Sequence, residues 1–185
     1  MDRDRLELAL AAAGLGELEW DIGRDVLIIS ERLAAITGVP AGEIPAEKGA
    51  ALDHYLHADD LEGVRKARAE GLARGDAFQI VYRYVRPDGR AIWLRCSLAM
   101  IRDAGGEPVA ISGLVADISA RRQEEDQRQA LMVELDHRVK NVLATVQALA
   151  IQTAKRTTSL DGFLQTFGGR LKAMASANEL LTAAR

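Results

Sequence analysis

The hydrophobic periodicity of this 185-residue chain changes once, close to Ile118. Before that point, apolar and polar residues alternate over short segments separated by Gly, Pro and Asp, a pattern typical of half-buried β-strands. After that point, apolar residues recur every three or four positions, which is typical of helices that pack along a seam. The sequence therefore predicts an α+β domain followed by a helical segment.

Five strands are predicted in the first part. Residues 17–30 contain two short alternating segments around the turn Gly23-Arg24-Asp25. Residues 78–116 contain three more, and Pro87-Asp88-Gly89 is a strong hairpin turn between the first two of these. Strands joined by short turns pair antiparallel, so we expect one five-stranded antiparallel sheet.

Helices are predicted to flank these strands. Ser30 is a suitable N-cap for a helix over residues 31–37. The Asp59-Asp60 pair is suited to the start of a helix over residues 61–73, because carboxylates are favoured near the positive end of the helix dipole. Residues 41–60 carry scattered Gly, Pro and Ala, and we expect them to be irregular.

Two helices with regular seams are predicted after this domain. Six of the eight residues at 121–128 are charged, which indicates a solvated helix that leads out of the domain. The seam of the first helix is formed by Met132, Leu135, Val139, Val142, Val146 and Leu149. Thr158 or Ser159 is suited to cap the second helix, whose seam is formed by Leu160, Leu164, Phe167, Leu171, Met174, Asn178 and Leu181. Such a hairpin buries one face poorly alone, so we expect two hairpins to pair into a four-helix bundle.

Charge and composition narrow the class of protein. The formal net charge is −3 and no stripe of Lys and Arg stands out, which argues against nucleic-acid binding. Cys96 is the single cysteine, so an intrachain disulfide is excluded and a reducing, cytoplasmic location is expected. The apolar residues 8–15 follow Asp2, Asp4 and Glu7 rather than a positive flank, and they are too few to span a membrane. We expect an amphipathic helix there and no membrane partner.

His137 is the candidate reactive residue of the helical segment. It lies between two seam positions and is predicted to point toward solvent. Lys140 and Asn141 follow it by three and four residues and so share its helix face, while Asp136 and Arg138 adjoin it. A histidine on a helix is most often an ordinary surface residue. An exposed imidazole beside a carboxylate, an amide and cations is nevertheless suited to accept and release a phosphoryl group.

The run around this histidine is Glu134-Leu135-Asp136-His137-Arg138-Val139-Lys140-Asn141-Val142-Leu143-Ala144-Thr145-Val146-Gln147. It resembles the phosphoacceptor box of the HWE family of histidine kinases. The second helix resembles that family's second dimerisation helix through Phe167, Arg170-Leu171, Ala173, Ala175 and Leu180-Leu181. Asn178 departs from the pattern, because family members often carry a histidine there. The resemblance covers roughly residues 124–183.

Several short motifs of the first part occur in a characteristic order. They are Trp20-Asp21, His57-Ala58-Asp59-Asp60, Tyr82-Arg83 with Arg86-Pro87-Asp88-Gly89, and Asp117-Ile118-Ser119. In this order and spacing, residues 5–119 resemble a PAS sensor domain of the common signalling type. The resemblance implies a curved five-stranded sheet that cups helices around a small pocket.

Together these resemblances imply a sensor histidine kinase of a two-component system. The domains expected are a PAS sensor domain with an N-terminal helix at 1–119, a helical signalling linker at 120–130, and a dimerisation and histidine-phosphotransfer hairpin at 131–185. The parent enzyme would move the γ-phosphoryl group of ATP to His137 and then to an aspartate of a response-regulator receiver domain. A homodimer is expected.

The ATP-binding domain typical of the family is not expected within this chain. No Gly-rich nucleotide loop occurs in the sequence, so ATP is expected to bind to a domain after Arg185, and the chain alone is expected to be inactive. Two other classes of protein stay open at this point. One is a non-catalytic histidine-phosphotransfer adaptor, and the other is a PAS interaction module whose hairpin only dimerises.

The neighbours of His137 have expected roles in this chemistry. Asp136 is the candidate proton acceptor, and Asn141 is the candidate for orienting water or the aspartyl phosphate. Arg138 and Lys140 are expected to stabilise the charge of the phosphate.

Neither a cofactor nor a metal is expected in the PAS domain. Cys96 lies on the apolar face of a predicted strand, whereas flavin-binding photoreceptors of this fold carry the reactive cysteine in an Asn-Cys-Arg-Phe-like box on a helix. His54 and His57 suggest haem ligands, but His57 belongs to the helix-start motif found in cofactor-free members. Trp20 is expected in the core, and Trp93, of opposite strand parity to Cys96, is expected to cover a partner surface.

Overall fold

The alternating segments of the first part form one antiparallel sheet. Within residues 2–75 and 77–183, which the computed structural model describes, there are six strands: β1 (Leu15–Asp21), β2 (Val26–Ile29), β3 (Gly42–Pro45), β4 (Phe78–Val85), β5 (Ala91–Arg102) and β6 (Pro108–Asp117). Their order across the sheet is β3-β2-β1-β6-β5-β4, and neighbouring strands run antiparallel. This sheet confirms the α+β class predicted for the first part.

The helices are α1 (Asp2–Ala12), α2 (Glu31–Thr37), α3 (Leu61–Arg74), α4 (Ser119–Arg156) and α5 (Leu160–Ala183), and two short 3₁₀ turns lie at Glu47–Gly49 and Asp53–Tyr55. Side chains are described for residues 5–75 and 77–176, so the predicted seam positions Asn178 and Leu181 lie outside the described side chains. The chain divides into two compact units, Met1–Glu124 and Glu125–Arg185.

Local capping signals set the ends of several helices. Ser30 Oγ accepts a hydrogen bond from the backbone N–H of Leu33 at 3.2 Å, which confirms Ser30 as the N-cap of α2. Ser159 Oγ accepts from Gly162 N at 3.2 Å and caps α5 in the same way. Gly38 ends α2 in the left-handed conformation, at φ 77°, which a residue with a Cβ adopts only with strain.

Two boundaries differ from those predicted. The sheet has six strands rather than five, because β3, within the segment expected to be irregular, pairs with β2. Pro45 is tolerated at its end because β3 is an edge strand. The first helix ends at Ala12 instead of reaching residue 15, since Gly14 takes φ 64° and Leu15 then pairs with Ala116 as part of β1.

Asp60 lies at the start of α3, as the sequence predicts, and its carboxylate also makes a tertiary contact. Asp60 precedes α3, but its side chain makes no capping hydrogen bond. Its carboxylate binds Arg83 of β4 instead, in a contact that joins residues 23 positions apart. A bidentate charge-assisted hydrogen bond is stronger than a cap on an exposed helix end, so the tertiary contact prevails.

The core lies on the face of the sheet that is covered by helices. Its buried residues include Leu27, Ile29, Leu33, Tyr84, Leu94, Cys96 and Val115. Cys96 is 4% exposed, which confirms its expected place in the core, and Trp20 packs against the same cluster. Each fully buried aliphatic side chain contributes about 1.5–3 kcal/mol to folding. Helix α2 can approach β1 closely because Gly16 has no Cβ. A Cβ at this position would lie 2.6 Å from the Cα atom of Leu33.

In the described part of the chain, every helix is either too short or too polar to cross a lipid bilayer.

Candidate functional site

Helix α4 carries His137 on an uninterrupted stretch of 38 residues. No Gly or Pro occurs between Ser119 and Arg156, so nothing in the sequence breaks the helical hydrogen-bond ladder. The side chain of His137 is exposed, as its place between two seam positions predicts. Asn141 is exposed one turn further along and shares its helix face. The imidazole is therefore accessible to a reacting group that approaches from solvent.

Two ion pairs flank His137 on the helix surface. Lys140 Nζ donates to Asp136 Oδ2 at 2.6 Å, and Arg138 donates to Glu134. At 100° per residue, the first pair lies on one side of His137 and the second pair on the other. All four side chains are more than half exposed, so each pair contributes only about 0.3–0.5 kcal/mol and opens readily.

These contacts show which of the expected site residues lie together. Asp136 and Lys140 bind each other, whereas Arg138 binds Glu134, a residue with no role assigned from the sequence. Glu134 and Arg138 have the spacing of four residues that favours a helical ion pair, so the sequence carried this signal. His137 thus has a cation on each side, Lys140 and Arg138, and each cation is bound only by a weak, exposed ion pair.

Helices α4 and α5 form the hairpin of the second unit. The seam residues Val146, Leu149, Phe167 and Met174 are half-buried, and the rings of Phe163 and Phe167 stack with their centroids 5.4 Å apart. The seam around His137 is different, because Met132, Leu135 and Val139 are 58%, 58% and 55% exposed. Leu160, at the start of α5, is also 73% exposed. Among the described side chains, apolar surface is thus exposed both before and after His137 in the sequence.

The first unit contains a cavity of about 100 Å³ between the sheet and α3. It is lined by Leu18, Trp20, Leu27, Gly49, Leu52, Val64, Arg68, Leu72, Ile80, Tyr82, Cys96, Leu98 and Ile111. Burial raises the pKa of the Cys96 thiol to about 12 and raises the pKa of Tyr82 as well. Both groups therefore stay neutral over the physiological range. Neither His54 nor His57 lies in this lining.

A buried ion pair holds the polar end of the cavity wall. Asp53 is 7% exposed and accepts hydrogen bonds from Arg65 and from both terminal nitrogens of Arg68 at 2.8–3.1 Å. Burial opposes ionisation of Asp53, but the hydrogen bonds from the two arginines outweigh it and lower the pKa of this carboxyl. The positive charge of Arg68 is thus balanced by Asp53 within the cavity wall.

The fold and the site define a sensor-type α+β domain whose last strand runs into a helix that carries an exposed histidine. Residues 26–115 match the family model described as PAS fold, and residues 134–185 match the model described as HWE histidine kinase. The chain is thus similar to PAS domains over its first part and to HWE histidine kinases over residues 134–185.

Curated relatives match over almost the whole chain. Two blue-light-activated histidine kinases, from Brucella anthropi and Brucella ovis, are 25% and 27% identical over 178 and 179 residues. These alignments cover 96% and 97% of this chain but only 35% of each relative. The chain thus spans about a third of the length of these kinases.

Solved structures share the fold of the first part. A sensory box histidine kinase/response regulator from Burkholderia thailandensis superposes with a TM-score of 0.59 at 23% identity, covering 72% of this chain and 98% of that one. The N-terminal domain of a diguanylate cyclase with a PAS/PAC sensor, from Marinobacter aquaeolei, gives 0.51 at 22% identity and covers 58% and 98% of the two chains.

Proposed function

We propose that this chain is the sensor and phosphoacceptor part of a histidine kinase of a two-component system, with His137 as the phosphoacceptor. The observation that carries the proposal is the exposed position of His137 within residues 134–185, the segment that matches the HWE histidine kinase family. ATP is the phosphoryl donor, bound by the ATP-binding domain that HWE kinases place after this hairpin. A response-regulator aspartate is the final acceptor.

In the proposed first step, an unprotonated ring nitrogen of His137 attacks the γ-phosphorus of ATP and ADP leaves. The imidazole then bears a positive charge, which is lost when the proton on the other ring nitrogen passes to Asp136. In the second step the phosphoryl group moves from His137 to an aspartate carboxylate of the regulator, and the proton held by Asp136 returns to the ring, which leaves the imidazole neutral. Asn141 lies one turn along the same face, where its amide is placed to orient water or the aspartyl phosphate.

The cations beside His137 support the charge that builds up during transfer. Lys140 and Arg138 are each held by a carboxylate on their own helix through a weak, exposed contact. A phosphoryl group on His137 brings two negative charges close to both of them, and charge-assisted hydrogen bonds to phosphate are stronger than these pairs. We propose that Lys140 and Arg138 turn from their carboxylates to the phosphate, which frees Asp136 to take the proton.

The exposed seam supports a homodimer. Leu135 and Val139 present apolar surface to solvent, and burial of such surface is favourable by about 25 cal/mol per Å². A second copy of the hairpin offers the same seam, and a symmetric pair of hairpins would close a four-helix bundle. We propose this bundle as the dimerisation element of the kinase.

The Brucella relatives are named as activated by blue light, but the cavity of this chain is too small for the flavin that would absorb such light. Its volume of about 100 Å³ is well below the roughly 300–1,000 Å³ of ordinary cofactor sites, so a flavin ring would not enter the cavity in this conformation. The thiol that lines it, Cys96, is held neutral by burial and lies on a strand rather than on a helix. We propose that the PAS domain senses a different, smaller stimulus.

The chain contains three histidines, which makes the test of the phosphoacceptor direct. The protein that includes its ATP-binding domain is incubated with radiolabelled ATP, and acid-labile phosphate is measured. We expect His137→Ala to abolish incorporation, and the matched variant His54→Ala/His57→Ala to retain it. Incorporation at the wild-type level in His137→Ala contradicts the proposal. No incorporation in the wild type would favour a PAS interaction module.

A further inference from the structure

Two arginines that belong to different elements lie over the ring of Trp93 in β5. The guanidinium carbon of Arg122, in α4, lies 4.4 Å from the centroid of the indole ring. That of Arg83, in β4, lies 5.8 Å from the same centroid, and Arg83 and Trp93 are direct partners in the sheet. Both distances fall within the range of about 6 Å over which a cation is attracted to an aromatic face.

Arg83 connects this ring to the start of α3. Its terminal nitrogen donates to Asp60 Oδ1 at 2.6 Å, and its Nε and backbone N–H donate to Asp60 Oδ2 at 3.0 and 2.8 Å. The hydrogen bonds from Arg83 lower the pKa of Asp60 to about 2, so the pair is charged over the whole physiological range. Asp59 accepts from the same guanidinium at 3.3 Å.

Arg122 connects the ring to the start of α4, and the backbone of Trp93 reinforces this connection. The N–H of Trp93 donates to Ser119 Oγ at 2.8 Å, and its carbonyl accepts from the N–H of Ile118 at 2.8 Å. Arg122 lies in the first turns of the helix, where its N–H donates to the carbonyl of Ile118. The beginning of α4 is therefore attached to one residue of β5 through both backbone groups and the side chain.

Helix α3 also forms one wall of the cavity. Val64, Arg68 and Leu72 contribute their side chains to its lining. Because the cavity measures only about 100 Å³, a ligand of ordinary size would have to displace part of its wall. The sheet strands are held by ladders of backbone hydrogen bonds, whereas α3 is held to the domain chiefly by side chains, through the packing of Val64 and ion pairs such as Asp60–Arg83 and Asp53–Arg68. The displacement is thus expected to fall on α3.

We propose that Trp93 is the joint through which the position of α3 controls the order of the first turns of α4. When α3 moves, Asp60 withdraws from Arg83, Arg83 shifts on the indole, and the contact of Arg122 with the same ring changes with it. Each cation–π contact is weak, so a small displacement of Arg83 is enough to change how firmly the helix start is held. That this change reaches phosphorylation rests on the proposed function, because His137 lies further along α4.

Hydrogen–deuterium exchange of this chain tests the attachment without any phosphate transfer. We expect Arg122→Gln to speed exchange of the backbone amides of residues 122–126 about two- to fivefold, which corresponds to the loss of one exposed cation–π contact. Arg122→Lys keeps a cation and is expected to stay close to the wild type. Arg128→Gln, which removes the same charge from the same helix away from Trp93, is the matched control and is expected to change nothing at 122–126.

The coupling through Trp93 is tested by a change in the α3 arm, which is the contact of Asp60, at the start of α3, with Arg83. The described hydrogen bonds of the Asp60 carboxylate go to β4 and not to α4, yet we expect Asp60→Asn to speed exchange at 122–126 by up to the same two- to fivefold. In the Arg122→Gln background it should add nothing, because the same connection is already broken. Exchange of β5 and β6 reports whether the domain stays folded. If Asp60→Asn loosens the whole sheet, Arg83→Lys replaces it, since lysine keeps the charge but lacks the bidentate fork.

The outcomes separate this proposal from the proposed function. If Asp60→Asn and Arg83→Lys both leave residues 122–126 at the wild-type rate while Arg122→Gln does not, Trp93 only anchors α4 and the coupling is wrong. If Arg122→Gln has no effect on exchange at 122–126, the proposal that Arg122 anchors α4 on Trp93 is wrong as well. A failure of phosphate incorporation at His137 leaves these exchange rates untouched, so it bears on the proposed function alone.

Discussion

Lys140 Nζ lies 2.6 Å from Asp136 Oδ2, so the carboxylate next to His137 is ion-paired with a cation one turn further along the same helix. The pair is exposed on both sides, at 61% and 68% of the side-chain surfaces, and is therefore weak. If Asp136 takes the proton of His137 during transfer, the pair must open first. A phosphoryl group that attracts Lys140 would open it at the moment the proton has to leave.

Asp136→Asn is expected to lower the rate of phosphate incorporation by roughly 10²-fold, the usual contribution of one general base. The amide keeps the shape of the carboxylate but does not accept the proton. The measurement is the initial rate of incorporation from ATP in the protein that includes its ATP-binding domain. Glu134→Gln is the control, because it removes the carboxylate of the other ion pair beside His137 and is expected to lower the rate much less. Equal losses in both variants would rule out a specific role for Asp136.

The exposed seam predicts that the chain dimerises. Light scattering should give twice the chain mass of 20.1 kDa at micromolar concentration. Leu135→Glu and Val139→Glu place a charge on the seam, which opposes burial, and are expected to give monomers. Gln147→Glu adds the same charge to an exposed position off the seam and should remain dimeric. A monomer in the wild type at high micromolar concentration would contradict the four-helix bundle.

The strands and helices of this chain were predictable where the signal is local. The alternating segments of β1, β4 and β5, and the Ser30 cap, depend on residues close together in sequence. Strand β3 was missed because its only large apolar residue is Ile44, so its extended conformation comes from pairing with β2 rather than from its own pattern. In the same way, the ion pairs at spacing four around His137 were accessible from the sequence.

Contacts between distant positions were not predictable. Nothing in the sequence indicates that the carboxylate of Asp60 binds Arg83, or that Arg122 lies over the ring of Trp93, because both contacts exist only after the sheet has formed. Trp93 was correctly expected to lie off the core face. Among the described side chains, however, arginines of β4 and α4 cover it within its own domain. Side-chain pairings of this kind join the start of a helix to a strand, whereas the alternation along a strand shows only which face of the sheet a residue occupies.

Helical phase in the linker is expected to control kinase output. Helix α4 runs continuously from Ser119 to Arg156, and the seam extended backwards falls on polar residues at Arg121, Glu125 and Arg128. One residue inserted at Gln127 turns everything downstream by about 100°, whereas seven residues add two nearly whole turns. The first insertion should change autophosphorylation and the second should leave it close to the wild type. Equal effects of both insertions on kinase activity would show that phase is not the variable.

The purified chain is expected to be colourless, and its cysteine is expected to react slowly. Burial raises the pKa of Cys96 to about 12, so very little thiolate is present at neutral pH, and only the thiolate attacks a disulfide reagent. The release of chromophore from such a reagent should be slow in buffer and fast in denaturant, with Cys96→Ser as the blank. A visible absorption band that co-purifies in stoichiometric amount would contradict the assignment of a small, non-flavin stimulus.

The charge of Asp60 is expected to make the stability of the first unit depend on acid. The pKa of Asp60 is lowered from 3.8 to about 2, chiefly by its hydrogen bonds from Arg83. Because the folded state holds this proton less tightly than the unfolded state, the stabilisation is fully present above pH 3.8 and is lost as the pH falls toward about 2. Asp60→Asn removes the titration. The difference in free energy of unfolding between wild type and Asp60→Asn should therefore be constant near neutral pH and shrink between about pH 4 and pH 2.

Urea unfolding at a series of pH values, followed by circular dichroism, gives this difference directly. Arg83→Gln in the same series is the partner control, because it removes the side-chain hydrogen bonds that cause the shift while leaving Asp60 in place. Its own difference from the wild type should shrink over the same range, and Asp60→Asn should add little to it. A difference between wild type and Asp60→Asn that stays constant down to about pH 2 would mean that the Arg83 contact does not hold the carboxyl in its charged form. The α3 arm of the Trp93 joint would then lose the charge on which it depends.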